Sequence, residues 1–375
     1  MSAAAKPGFW EFFAGGGMAR AGLGPGWTCL FANDFDPKKG EAYCANWGEG
    51  AFRLADIAAL TPAEIQGAAD LTWGSFPCQD LSLAGAGAGL GGARSGTYFA
   101  FWRLIEGLDA EGRAPRLVAV ENVAGALTAR GGADFAAILE AFLRNGYRPG
   151  ALLIDAAAFL PQSRPRLFVI GARDGAEPIG APAGPFHPPA LLRAVAALPE
   201  PLRAAHVWRA LPPPPASNRA LADLVEPGAE WLPEAETARL VSLMAPLHRA
   251  RLEAAQAEGR RIVGCAFRRT RPVKGGGRAQ RAELRLDGFA GCLRTPGGGS
   301  SRQFLVEIEG PHVRARLLTA REAARLMGLP DDYRLPARLN EALHLVGDGV
   351  APPVVRWLAA HLLEPLLAAG AARAA

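Results

Sequence analysis

The chain has 375 residues, half of them hydrophobic, with a formal net charge of +5. That is long for one domain and comfortable for two, and a mildly basic balance suits an anionic partner. The five cysteines, Cys29, Cys44, Cys78, Cys265 and Cys292, are odd in number and show no CxxC spacing. They argue against a disulfide framework or a zinc site and fit a reducing cytosol. Lys6, Gly8 and Glu11 interrupt the N-terminus before a signal peptide could form, and no stretch reaches the apolar length of a membrane span.

In chain order, Gly8 to Phe13 is an aromatic strand candidate running into Ala14-Gly15-Gly16-Gly17-Met18-Ala19-Arg20. Strand, glycine loop, helix is the opening of a nucleotide-binding α/β domain, because glycines let the backbone approach a ligand closely. Arg20 stands at the third glycine position, so the dinucleotide fingerprint GxGxxG is not met, and there is no Walker A sequence. Glycine turns without a ligand are common, and the loop alone is weak evidence. Thr28 to Asp36 reads as a second strand ending in acids, placed either for ribose hydroxyls or as a cap before Pro37. Arg53 to Ile57 is a short strand or loop carrying Asp56.

Asp70 to Trp73 is a strand leading into Gly74-Ser75-Phe76-Pro77-Cys78-Gln79-Asp80-Leu81-Ser82. A cysteine after a proline, at a strand end and before a glycine-rich run, is placed to meet a substrate, although most free cysteines are buried hydrophobes. The glycines of 85 to 96 make either an ordinary connection or a lid, with Ser82 and Arg94 near phosphates. A helix is expected from Gly96, a buried strand over Arg116 to Val120 ending in Glu121-Asn122-Val123, and an amphipathic helix over Asp134 to Asn145. Leu152 to Asp155 and Leu167 to Gly171 are further strands. Arg164 and Arg166 alternate before the last one, a spacing that can put both guanidiniums on one side.

In this order the residues resemble the DNA cytosine-5 methyltransferase family over nearly the whole chain. Phe13-Ala14-Gly15-Gly16-Gly17 resembles motif I, the S-adenosylmethionine loop; Asp34, with Phe35 beside it, matches the ribose-binding acid, and Asp56-Ile57 the adenine-contacting pair. Phe76-Pro77-Cys78-Gln79 matches motif IV with its nucleophile, and Glu121-Asn122-Val123 matches motif VI. Gln162-x-Arg164-x-Arg166 matches motif VIII, Arg316 to Pro330 motif IX, and Gly347 to Pro352 motif X. Any one of these is a weak pattern; the ordered set is highly specific.

The resemblance implies a mostly parallel α/β sheet of the S-adenosylmethionine-dependent, Rossmann-like type with helices on both faces, and a smaller target-recognition domain. Expected boundaries are 1–175 for the catalytic domain, 176–315 for recognition and 316–375 for a segment returning to the first. It implies methyl transfer from S-adenosylmethionine to C5 of a flipped cytosine in a specific duplex sequence. Cys78 would add to C6, Glu121 would bond N3 and the exocyclic amine, and Arg166 would bond O2 and orient Glu121, with Arg164 alongside as a catalytic residue. The cofactor residues implied are Phe13 to Gly17, Asp34, Phe35, Asp56, Ile57, Pro77, Asp348 and Val350; no metal is implied.

Residues 260 to 302 are strongly basic, and with the resemblance Gln79, Ser82, Arg94, Arg268, Arg269, Arg271, Lys274, Arg294 and Arg302 are the expected DNA contacts. A solvated basic face is the plainer alternative. Cys292-Leu293 stands where many members have Thr-Leu, and Asp348 where they have Asn. Asp348 either touches the cofactor site or caps the helix expected from Val354. Thr319 and Glu322 form a capping box. The implied partner is double-stranded DNA, with a cognate restriction endonuclease as a further partner; a monomer in the bacterial cytoplasm, at the nucleoid, is the family default. Competing readings are cytosine-5 methylation of tRNA, N4-cytosine methylation on the same scaffold, and a DNA-binding protein without catalysis.

Overall fold

The computed structural model describes residues 6–76, 96–173, 180–215, 219–272, 276–295 and 302–374. The chain divides into two compact units: residues 1–158, 165–215 and 349–375 form one, and 159–164 with 216–348 form the other.

The first unit is built on a seven-stranded sheet. Its strands are β1 (Gly8–Phe12), β2 (Thr28–Asp34), β3 (Phe52–Leu54), β4 (Leu71–Gly74), β5 (Leu117–Val123), β6 (Arg148–Asp155) and β7 (Pro165–Ala172). Their order is β3-β2-β1-β4-β5-β7-β6. The first five run parallel, and β7 is antiparallel to both of its neighbours. Strand order reverses at β1, which lies between β2 and β4, so a crevice opens beyond the carboxyl ends of these strands. Every residue of β1 is buried, as a central strand covered on both faces requires. The helix Gly96–Ala110 buries Tyr98, Phe101, Trp102, Ile105 and Leu108, spaced by three and four residues. The helix Ala133–Arg144 does the same with Phe135, Ile138, Leu139 and Phe142. These side chains share one core with Trp10, Phe12, Val118 and Val169.

Residues 180–215, expected in the recognition domain, pack on the first unit. Leu191, Val195 and Leu198 join the core just described, and Arg209 Nη1 donates to the Ile170 carbonyl at 2.6 Å. His206 Nε2 accepts the Ala151 N–H at 3.1 Å. Burial first, then Arg209 and His187, push the His206 pKa down to about 4.

The second unit holds β8 (Arg261–Pro272), β9 (Arg278–Arg285), β10 (Gln303–Glu309) and β11 (His312–Leu317), antiparallel in the order β11-β10-β8-β9. Helices Glu234–Ser242 and Pro246–Ala257 cover one face, where Leu240, Met244 and Leu252 pack on Ala266, Leu284, Phe304 and Val306. Residues 316–348, expected with the first domain, belong here. β11 pairs with β10, and buried Arg316 donates to Glu322 Oε2 at 2.6 Å. The capping box forms: Thr319 Oγ1 accepts the Glu322 N–H at 3.1 Å, starting the helix Ala320–Leu326. The helix Leu339–Asp348 ends on Asp348. The following helix begins at Pro352 rather than Val354, with Ala351 as its N-cap and no side-chain cap. Asp348 therefore does not supply the expected cap; Pro352 and Pro353 at the first helical positions need no N–H acceptor. No helix among the described residues is long and apolar enough to cross a membrane.

Candidate active site

The loop after β1 owes its shape to left-handed backbone. Phe13, Gly15 and Gly17 have φ of 56°, 56° and 76°. At Gly17 a methyl group would meet Trp47 Nε1 at 2.4 Å, so packing as well as conformation excludes a side chain. At Gly15 a methyl group would meet nothing within 4 Å, so the backbone there borders open space. The loop is tied to β2: the Ala14 N–H donates to the Asn33 carbonyl at 2.8 Å. The Gly15 N–H donates to Asp34 Oδ2 at 2.8 Å.

Asp34 is buried at the end of β2, and its Oδ1 accepts the Asp36 N–H at 2.9 Å. Burial raises its pKa, while the N–H groups of Asp36 and Gly15 work the other way. Phe35 beside it is 68% exposed. Asp36, the alternative cap at this strand end, accepts the Lys38 N–H at 2.9 Å and starts the helix Pro37–Trp47. Asp56 caps a short turn by accepting the Ala58 N–H at 2.9 Å, and Ile57 is buried.

Two polar residues here were not singled out in the sequence. Asn33 donates to the carbonyls of Arg53 and Ala55 at 3.1 and 2.7 Å, fastening the ends of β2 and β3 together. Glu11 lies wholly inside β1, where burial pushes its pKa up to about 8. Its Oε1 accepts the Arg20 N–H at 3.4 Å, while its Oε2 has no hydrogen-bond partner. The only signal was an acid in the middle of an aromatic strand.

The second cluster gathers at the ends of β4, β5 and β7. Arg166 Nε lies 3.0 Å from Glu121 Oε1, and both side chains are largely buried. The register accounts for the pairing: Val123 faces Arg166 and Glu121 faces Phe168, so Glu121 and Arg166 are diagonal neighbours on one face. Asn122 points to the other face and donates to the Phe76 carbonyl at 3.2 Å. It thereby anchors the chain two residues before Cys78. Phe76 is itself buried against Tyr98, with ring centroids 4.7 Å apart. Pro77, Cys78, Gln79, Ser82, Arg94 and Lys274 lie outside the described residues.

Arg164 and Arg166 part company. Arg164, buried in the second unit, donates to the carbonyls of Leu293 and Gly347 at 2.9 and 2.8 Å and to Cys292 Sγ at 3.5 Å. Gln162 donates to the Leu326 carbonyl at 2.7 Å and accepts the Leu293 N–H at 3.1 Å. Both residues hold the backbone of Leu293, just after Cys292, and tie it to the Leu326 and Gly347 carbonyls.

Of the expected DNA contacts, Arg294 is exposed and Arg302 bonds Asn340. The Arg268 guanidinium lies 5.3 Å from the Phe304 ring centroid. Arg269 and Arg271 share the Glu283 carboxylate. Val350 is buried, and Asp348 is exposed.

A mostly parallel sheet in the order β3-β2-β1-β4-β5-β7-β6, with β7 antiparallel and a glycine loop after β1 tied to an acid on β2, is the fold of S-adenosylmethionine-dependent methyltransferases. Solved structures agree on the fold. The Dnmt2 methyltransferase of S. pombe superposes with a TM-score of 0.59 at 17% identity, covering 96% of this chain and 99% of that one. A putative E. coli prophage DNA modification methyltransferase gives a TM-score of 0.54 at 18% identity, covering 96% and 99%. The family model for C-5 cytosine-specific DNA methylase matches residues 8–364, and the chain belongs to that family. It is a cytosine-5 DNA methyltransferase that takes its methyl group from S-adenosylmethionine. Among curated relatives, the type II methyltransferase M.NgoBI of Neisseria gonorrhoeae is 26% identical over 92% of this chain and 89% of its own length. M.HpaII of Haemophilus parainfluenzae is 25% identical over 96% and 89%.

Proposed function

We propose that Cys78 is the nucleophile of this methyltransferase, and that Glu121 and Arg166 receive the target cytosine. The observation that carries this is the Glu121–Arg166 pair at 3.0 Å, largely buried at the strand ends, with Asn122 holding the Phe76 carbonyl beside it. The Cys78 thiolate adds to C6, and the displaced ring electrons move toward N3 and O2. Glu121 bonds N3 and the exocyclic amine, and Arg166 steadies O2 while orienting Glu121. The addition makes C5 enamine-like and ready to accept a methyl group. Loss of the C5 proton and expulsion of Cys78 then restore the aromatic ring.

The residues at the end of β1 and β2 fit S-adenosylmethionine. Open space borders Gly15, each oxygen of the buried Asp34 carboxylate has a lone pair left for a ribose hydroxyl, and exposed Phe35 offers a flat surface. When bound, the cofactor supplies an electrophilic methyl group on a sulfonium. Asp34 would hold the ribose, Asp56 and Ile57 the adenine, and Phe13 to Gly17 with Pro77, Val350 and Asp348 the remainder. In this reading Arg164 is a positioning residue, because its guanidinium is committed to backbone carbonyls.

The substrate is a flipped cytosine in a specific sequence of duplex DNA, and Gln79, Ser82, Arg94 and the arginines of the second unit grip the duplex. The relatives named as type II methyltransferases suit a companion restriction endonuclease, and a monomer working on the nucleoid in a bacterial cytoplasm completes this reading. The test is mass spectrometry of nucleosides from duplex DNA and tRNA incubated with S-adenosylmethionine and either wild type or Cys78→Ala. 5-Methylcytosine from DNA, lost in the variant, is expected. 5-Methylcytosine that survives in Cys78→Ala, or N4-methylcytosine in its place, overturns the nucleophile assignment.

A further inference from the structure

The β8–β9 hairpin carries an arrangement of charge that folding alone does not explain. Arg269 faces Arg281 directly across the ladder, and like charges in that position destabilise a sheet. The other face of the same hairpin packs on helices through Ala266, Ala282 and Leu284. The arginine face is left open: the side chains of Arg269 and Arg271 are 42% and 51% exposed.

Within this face the arginines are treated in two ways. Glu283 stands opposite Phe267 and gives one carboxylate to two guanidiniums. Its Oε2 lies 3.2 Å from Arg269 Nε. Its Oε1 accepts from Arg271 Nε at 2.7 Å. The Arg269 guanidinium also lies 4.9 Å from the Phe267 ring centroid. Held at Nε and stacked on a ring, Arg269 keeps both terminal nitrogens on the outer edge of its fork. By contrast, no carboxylate pairs with Arg281 among the described residues.

A shared carboxylate halves the charge that Arg269 and Arg271 present, which weakens their pull on phosphate. It costs nothing in recognition of a base edge, where direction rather than net charge decides, because the O6 and N7 acceptors of guanine accept from two parallel N–H groups. We infer that Arg269 reads a guanine in the target sequence through its two terminal nitrogens, that Glu283 is the positioning residue that aims it, and that Arg281 binds phosphate. This rests on the proposed action on duplex DNA and adds to it one base of the recognition sequence and the residue that reads it.

The test is limited methylation of a random-sequence duplex library, read by bisulfite sequencing, with salt titrations of DNA binding alongside. Arg269→Gln is expected to lose the preference for guanine at one position by roughly tenfold or more, with other positions unchanged. Glu283→Gln keeps the shape of the side chain and should relax the same position while melting like wild type. Arg281→Gln should weaken all sequences evenly and reduce the salt slope by about one. If Arg269→Gln does not fold, Arg269→Lys retains the charge without the fork and should lose the same preference.

The inference is overturned if Arg269→Gln lowers all sequences evenly with a shallower salt slope, or if Glu283→Gln keeps the wild-type preference. Absence of 5-methylcytosine with the wild-type protein would instead overturn the proposed action on duplex DNA. The two failures are thus distinguishable.

Discussion

The two sheets use charge in opposite ways. In the seven-stranded, mostly parallel sheet, the side chains proposed to act stand at strand ends: Asp34 ends β2, and Glu121 and Arg166 meet where β5 and β7 come together. The strand interiors are mostly apolar, with Glu11 and Thr72 among the buried polar residues. In the four-stranded antiparallel sheet the arginines run along the strands themselves, as Arg261, Arg268, Arg269 and Arg271 on β8 and Arg278, Arg281 and Arg285 on β9. The first arrangement surrounds one small reacting centre with a few fixed groups. The second spreads weaker, solvent-facing contacts over a length of chain, as a repeating polyanion requires.

The contrast is sharpest at Glu121. Glu121→Gln should leave the melting temperature near wild type while lowering the single-turnover rate of methylation by about a hundredfold or more, because a positioned acid–base group is lost. A loss of DNA binding of the same size would instead place Glu121 with the gripping residues.

Arg164 tests a buried guanidinium of the second unit. Arg164→Met leaves the Leu293 and Gly347 carbonyls without their donor. It should cost about 3 kcal/mol in stability, seen as a lowered denaturation midpoint, with activity falling because folded protein is lost. Wild-type stability with a lost rate would return Arg164 to the catalytic group.

Next in size is a pH effect from the first unit. His206 is neutral when folded, with its pKa down at about 4, against an ordinary value of about 6.5. Below that ordinary value the unfolded chain takes up the proton more readily. The His206 contribution is therefore complete above about pH 6.5 and falls by about 3 kcal/mol by about pH 4. Denaturation curves should show this loss in wild type and a flatter profile in His206→Gln, whose side-chain oxygen can still accept the Ala151 N–H. Glu11, raised to about 8 by burial, works in the opposite direction and removes stability as the pH climbs from about 4.5 through 8. Parallel profiles for wild type and His206→Gln would count against the His206 assignment.

The smallest effect is expected at Asp34. Asp34→Asn keeps one acceptor oxygen and loses the charge, so S-adenosylmethionine affinity measured by calorimetry should fall about tenfold, with DNA affinity unchanged. Unaltered cofactor affinity would remove Asp34 from the site.

Much of the first sheet was readable because its chemistry lies in short contiguous runs. The glycines after β1, the acids after β2 and Glu121-Asn122-Val123 each sit at the turn from an apolar strand to a loop, where strand ends gather in an α/β fold. The four-stranded sheet was not readable as strands. Arg268 and Arg269 are adjacent, so the alternation of apolar and polar residues that marks a half-buried strand is broken in β8, and only the charge shows. Glu11 was passed over because an acid inside a central strand contradicts the usual rule of burial. The role of Arg164 depends on carbonyls more than a hundred positions away, which no local pattern contains. The attachment of residues 180–215 to the first unit depends on Leu191, Val195 and Leu198 joining a core whose other members lie far away in sequence.

The first unit also draws on chain that follows the second. Gly22 on the helix Met18–Leu23 is so close to Val355 that a methyl group there would stand 2.4 Å from its Cβ. Arg116 donates to the Leu367 carbonyl at 2.8 Å. On the ribosome, residues 216–348 therefore emerge complete and able to pack while the methyl-transfer unit still lacks its closing helix. The four-stranded sheet has the head start, and the glycine loop gains the packing of Val355 against Gly22 only after every residue of that sheet has been made.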